Sequence, residues 1–134
     1  MLGPTGATNI KDALATAIAE LKDTSKFRPT AKKAIVLFTD GVPNIPGGQG
    51  PASTAAINEA KKAKTAGIPI YTIGLSQNPA IKPDEDKLLG DNKNGSGKGI
   101  AFHSGNKAIY VSVTSSSQLQ QAFQTIARSL VVLQ

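Results

Sequence analysis

No cysteine and no tryptophan occur in this chain of 134 residues, which holds a single methionine and a single histidine. Without cysteine there is no thiol nucleophile, no disulfide framework and no cysteine-ligated zinc site. The lone histidine, His103, leaves no histidine-paired metal site within one chain, and a catalytic role for it would need a nucleophile or carboxylate folded against it. Aromatic residues are scarce, 4 Phe and 2 Tyr, so the core must be built from isoleucine, leucine, valine and alanine. No apolar run approaches the ~20 residues that span a bilayer. The N-terminus lacks the charged region and apolar stretch of a signal peptide. The chain is therefore expected to be soluble and to carry no address of its own.

What remains is a globular composition, 40% hydrophobic and 18% charged. The length suits one domain with one core, residues 1–134. A net charge of +6 arises from 15 basic against 9 acidic residues. The lysines are spread over helix faces and loops, no run reaches five like charges, and the aromatic interleaving of single-strand binders is missing. This reads as a solvated surface, with no nucleic-acid partner.

The order of elements reads helix, strand, helix, strand, long insert, strand, helix. Thr8 or Asn9 can cap a first helix that carries Ile10, Leu14, Ala17, Ile18 and Leu21 on one face and ends near Asp23. Residues 34–39 are a continuous apolar run, the pattern of a strand covered on both faces. Residues 41–51 form a loop by composition. Ser53 is expected to cap a second helix with Ile57, Ala60 and Ala63 inward, stopped by Gly67. Residues 68–75 and 108–113 read as further strands, and Leu119, Ala122, Phe123, Ile126 and Leu130 stand at helical spacing in a last amphipathic helix. Alternating strands and helices imply a mainly parallel sheet, hence an α/β fold. The insert at 76–107 is longer than most connections. Pro83–Leu89 suits one or two helical turns ended by Gly90, and residues 90–99 are expected to be poorly ordered.

The sharpest chemical signal is Lys33-Ala-Ile-Val-Leu-Phe-Thr-Asp-Gly41, which puts the Asp40 carboxylate at the C-terminal tip of a buried strand. Ligands of open α/β sheets bind at that tip. Upstream, Gly6-Ala-Thr-Asn9 puts the Thr8 hydroxyl at the head of a helix, and two hard oxygens of this kind suit a divalent cation such as Mg2+. Taken singly, Asp40 is a turn residue and Thr8 a helix cap. With Ala63-Lys-Thr-Ala-Gly-Ile-Pro-Ile-Tyr-Thr-Ile-Gly74 downstream, the set resembles the von Willebrand factor type A family from Gly6 to the last helix. The resemblance implies a Rossmann-like, three-layer fold with helices on both faces of the sheet. It also implies a metal-ion-dependent adhesion site at the top of the sheet, holding Mg2+, or Mn2+ or Ca2+, with Thr8 coordinating directly or through water and Asp40 mainly through water. Such domains bind protein partners in adhesion, at cell surfaces or outside the cytoplasm, and are not enzymes by this route. The ending Ala122–Leu133 is similar to type A domains of bacterial tight-adherence pilus assembly proteins.

The chain departs from the family in one respect: no Asp-x-Ser-x-Ser motif, and no first strand to carry it, is found. One carboxylate and one hydroxyl hold Mg2+ poorly, since it needs several fixed oxygens. The missing strand would lie beside residues 34–39 and leave an apolar edge unpaired. The sequence therefore reads as a partial domain, completed by another polypeptide that supplies the strand and the motif, by self-association, or by further sequence of a longer domain. Two rivals stand beside the binding module. One is a Mg2+-dependent hydrolase or phosphotransfer protein using Asp40 with a second acid among Asp84, Glu85, Asp86 and Asp91. The other is a structural subunit that completes a partner's sheet without metal. Gly95-Ser-Gly-Lys-Gly99 misses the phosphate-loop pattern at Asn92 and Gly99 and reads as a flexible loop. Gly47-Gly-Gln-Gly50 reads as a turn before a helix, and Asn94-Gly95-Ser96 has meaning only in a eukaryotic secretory setting.

Overall fold

The computed structural model describes residues 9–23, 33–39, 49–91, 93–95, 97–105 and 107–132. In chain order they form α1 (Ile10–Lys22), β1 (Ile35–Thr39), α2 (Gln49–Ala66), β2 (Ile70–Gly74), α3 (Lys82–Leu89), α4 (Ile100–Ser104), β3 (Tyr110–Ser112) and α5 (Ser116–Val132). The three strands make one parallel sheet in the order β1-β2-β3. Ile35 pairs with Ile70 and Thr39 with Gly74, and Gly74 pairs in turn with Ser112, so the C-terminal tips of all three strands lie level.

Helices cover both faces. On one, Ile10, Leu14 and Ile18 of α1, Ala56, Ala60 and Ala63 of α2, Leu88 and Leu89 of α3, and Ile100 and Ala101 of α4 bury the side chains of Ile35 and Ile70. On the other, Ala122 and Ile126 of α5 close over Tyr71, Ile73 and Val113. This is the three-layer, Rossmann-like α/β arrangement that the alternation of elements implies. Small alanines on α2 let that helix lie close to its neighbours, and each larger aliphatic chain buried this way contributes about 1.5–3 kcal/mol.

The helix ends follow local chemistry. The Asn9 side chain caps α1 by accepting from the Asp12 amide at 3.0 Å. Gly67, at φ +74, ends α2: its amide donates to the Lys64 carbonyl at 3.0 Å, and the Ile68 amide donates to the Ala63 carbonyl at 2.9 Å. That bond pair is the Schellman motif, which needs a left-handed residue.

The structure corrects three expectations. Ser53 does not cap α2: the helix already runs from Gln49, so residues 49–51 are helix rather than loop, while 41–48 lie outside the described residues. Pro51 fits because a proline in the first turn gives up an amide that has no helical partner there. The apolar run 34–39 is not covered on both faces: β2 is buried at every position, but in β1 Phe38 is 53% exposed. Among the described residues only the central strand has neighbours on both sides. Finally, Gly90, Asp91 and Gly99 of the segment 90–99 are buried, and α4, which the sequence reading left inside the insert, adds Ile100 and Ala101 to the core.

Candidate functional site

The C-terminal edge of the sheet is held together by the chain leaving β2 and β3. The Leu75 amide donates to the Thr39 carbonyl at 2.8 Å, and the Val113 amide to the Gly74 carbonyl at 2.8 Å. Thr39, buried at the end of β1, is therefore fixed to the exit of β2. Asp40 follows Thr39 directly in sequence, and Thr8 directly precedes the cap residue Asn9. Both candidate metal ligands lie outside the described residues. Among the described residues no group of three His, Cys, Asp or Glu side chains can hold a metal ion.

The four acids that the sequence offered as catalytic partners sit on or after α3, and three have a visible structural task. Glu85 is fully buried. It accepts from the Ser76 amide at 3.3 Å and pairs with the Lys82 ammonium at 2.9 Å. Lys82 also donates to the Gly74 carbonyl at 3.2 Å, so this pair ties α3 to the tip of β2. Burial pushes the Glu85 carboxyl up, and the Lys82 partner and the Ser76 amide offset only part of that. Gly74 has to be glycine here, because a Cβ would sit on the Glu85 carboxylate and 2.8 Å from the Tyr110 hydroxyl.

Asp86 accepts the hydroxyl hydrogen bond of Tyr110. Burial first, and then the neighbouring Asp86 carboxylate, push the Tyr110 phenol far up, so it stays a donor at any ordinary pH. Asp91 organises the loop after α3. One carboxylate oxygen accepts from the Lys93 and Asn94 amides, both at 2.6 Å. The other accepts from the Asn94 side chain at 2.9 Å and from the Tyr110 amide, the first of β3, at 2.7 Å. Burial alone would raise its pKa, but these hydrogen bonds to the charged form outweigh it and hold the carboxyl below its ordinary value. Asp84 is exposed on the first turn of α3. Glu85, Asp86 and Asp91 thus serve the scaffold beneath the edge. An Asp-x-x-Asn-Gly string is a turn signal, and it was legible in the sequence at Asp91.

His103 lies on α4 with its ring edge-to-face on Phe102, centroids 5.1 Å apart. Burial, together with the charges of Lys61, Lys64 and Lys98, lowers its pKa, so the imidazole is neutral at pH 7. Ser104, which sequence reasoning missed, donates order to the far end of β2 by accepting from the Ile70 amide at 2.8 Å. Gly95, Gly97, Lys98 and Gly99 form a turn between α3 and the five-residue α4, not a phosphate loop between a strand and a long helix.

A parallel sheet with level strand tips and helices on both faces defines an open-sheet α/β domain. The family model described as von Willebrand factor type A domain matches residues 1–125, and the chain belongs to that family. Searches against curated proteins and against solved structures gave no match. Domains of this family are protein-interaction modules, and no helix among the described residues is long and apolar enough to cross a membrane.

Proposed function

We propose that this domain binds a protein partner through the C-terminal edge of its sheet, with Thr8 and Asp40 as its share of a metal-ion-dependent adhesion site. The observation that supports the reading is the end of β1: Thr39, the residue before Asp40 in sequence, is buried and bonded to Leu75 at the C-terminal tip of the strand, the edge at which open α/β sheets bind ligands. With Thr8 coordinating directly or through water and Asp40 mainly through water, the two supply only a small part of the six or so oxygens that Mg2+ takes. The rest would come from an Asp-x-Ser-x-Ser strand outside this sequence, on another polypeptide or in further sequence of a longer domain. Bound there, the cation offers a Lewis-acidic position for a partner carboxylate. The chain's own residues orient that position and do no turnover, and the setting is adhesion or surface assembly outside the cytoplasm. The resemblance read in the sequence of Ala122–Leu133 supports bacterial pilus biogenesis as one of those settings.

The test is a calorimetric titration of Mg2+ or Mn2+ into the chain alone and into the chain mixed with a synthetic strand peptide bearing Asp-x-Ser-x-Ser. Alone, binding is expected to be weak, with a Kd of about 1 mM or more. In the mixture it is expected to tighten by roughly tenfold or more, a gain of about 1.4 kcal/mol, and to be lost in Asp40→Ala. Equal affinity in both titrations would contradict the shared site.

A further inference from the structure

One face of α2 carries positive charge with little to balance it. Thr54, Ile57, Lys61 and Lys64 follow one another at helical spacing and form a stripe along the helix. The chain leaves β1 at the C-terminal edge of the sheet and enters β2 at the other, so α2 runs back between the two edges. A cavity of about 560 Å³ opens beside its first turns, with Ser53, Thr54, Ile57, Asp84, Lys87 and Lys98 in its lining. Further along the stripe, His103 of α4 stands among three ammonium groups: burial first, then Lys61, Lys64 and Lys98, hold its pKa down. Lys61, Lys64, Lys87 and Lys98 are exposed, and among the described residues none of them forms an ion pair. Asp84 is the acid in the cavity lining. Lys98 also has φ +56, a left-handed value that no other non-glycine residue among those described adopts. Glycines flank it on both sides, yet this position holds a lysine at a conformational cost.

We infer that this groove, from the cavity along α2 to Lys64, docks an extended acidic segment of a protein partner. Charge, length and polarity choose the occupant. Unpaired ammonium groups outnumber the one carboxylate, and a run of Asp or Glu side chains complements that excess. From Thr54 to Lys64 the stripe is about 15 Å long, which about five extended residues span and a lone phosphate or carboxylate does not. Ile57, half-buried in the cavity wall, offers a seat for one apolar side chain among the charges. A second copy of this chain is a poor source of the acids. In its run Asp84-Glu85-Asp86, Glu85 is buried against Lys82 and Asp86 holds the Tyr110 hydroxyl. This inference rests on the reading that the domain binds a protein partner, and it uses neither Thr8, Asp40 nor a metal.

The experiment is an NMR titration of the chain in EDTA with a short synthetic peptide of glutamates around a central leucine. Fluorescence anisotropy of the labelled peptide gives the affinity. Saturable shifts are expected at the amides of Thr54, Ile57, Lys61, Lys64, Lys98 and His103, with Gln121 and Thr125 of α5, across the sheet, unmoved. Lys61→Gln and Lys98→Gly are each expected to weaken binding by roughly threefold, the scale of one exposed ion pair. Arg128→Gln removes the same charge from α5 and is expected to leave binding nearly unchanged. Lys98→Gly is also expected to keep or raise Tm, because glycine takes φ +56 without strain, so its weaker binding is not a loss of fold. No saturable shift, equal binding of a glutamine version of the peptide, or an Arg128→Gln effect as large as that of Lys98→Gly would each overturn the proposal. So would shifts centred on Asn9, Thr39 and Leu75. Equal shifts at the same amides with inorganic phosphate, or with a single-stranded oligonucleotide of matched charge, would overturn the peptide as occupant. Because EDTA is present throughout, a failed metal titration leaves this result standing, and a failed peptide titration leaves the metal site standing.

Discussion

Gly99→Ala is expected to destabilise the domain by about 3 kcal/mol or more, the upper range for forced overpacking. The added Cβ would meet the Leu88 carbonyl group, 2.6 Å from its carbon, and the Gly90 amide nitrogen at 2.5 Å. These are backbone atoms, and neither can rotate away. Gly99 is also buried, its amide donates to the Gly90 carbonyl at 3.0 Å, and it leads directly into α4, whose Ile100 and Ala101 belong to the core. Relief of the clash would have to pull α4 from β2. Thermal unfolding followed by circular dichroism is the measurement, with a fall in Tm of roughly 10 °C expected for a domain of this size. Gly50→Ala is the control. Nothing lies within 4 Å of its Cβ position, it sits in the first turn of α2, and alanine there is expected to be neutral or mildly stabilising. A Gly99→Ala protein with unchanged Tm would mean that the turn between α3 and α4 does not pack as described.

Asp91→Ala is expected to cost about 3 kcal/mol, because it strips a buried carboxylate from several amide donors at once, among them the first amide of β3. The loss should be local as well as global. Protection of the Tyr110 amide should collapse while that of Thr72 in β2, which donates to the Ile109 carbonyl, declines less. Asp91 also sets the acid limit of the fold. Its folded pKa lies below the ordinary 3.8, so the stability it contributes is present above that value and is lost as pH falls through the folded pKa. Glu85 acts with the opposite sign. Its folded pKa is raised above 4.5, so its contribution is fully present below that value and declines as pH rises through the folded pKa. Denaturant midpoints measured from neutral pH downward should therefore fall steeply only below about pH 4. In Asp91→Asn that fall should be blunted, and a profile identical to the parent's would remove Asp91 from the account.

Strand identities were legible because Ile35–Thr39 and Ile70–Gly74 are short apolar runs bounded by breakers. Which of the two is central was not, since an edge strand and a central strand can share one composition. Only the pairing shows that Phe38 is left in solvent while Tyr71 is enclosed. The start of α2 was misread because serine before an apolar period is the usual cap, whereas here Gly50 and Pro51 fit inside the first turn. α4 escaped because five residues are too few to display a period. The Asp91 turn carried its signal in plain view, but glycine, asparagine and lysine around it resemble an unstructured loop. Tertiary contacts decide between those two outcomes, and here they come from Tyr110 in a distant strand. Thr8 and Asp40 stand out only as a pair within a longer motif string, and the match over residues 1–125 shows the family that the string resembles.

The central claim, a cation site at the C-terminal edge of the sheet, is tested most directly by paramagnetic broadening with substoichiometric Mn2+, which reports weak sites as well as strong ones. The account predicts that the amides of Asn9, Thr39 and Leu75 broaden first, that Gly67 and Ile70 at the opposite end of the sheet stay sharp, and that Asp40→Ala abolishes the pattern. Broadening centred on Asp84, Asp86 or Asp91, or spread evenly over the surface, would contradict it.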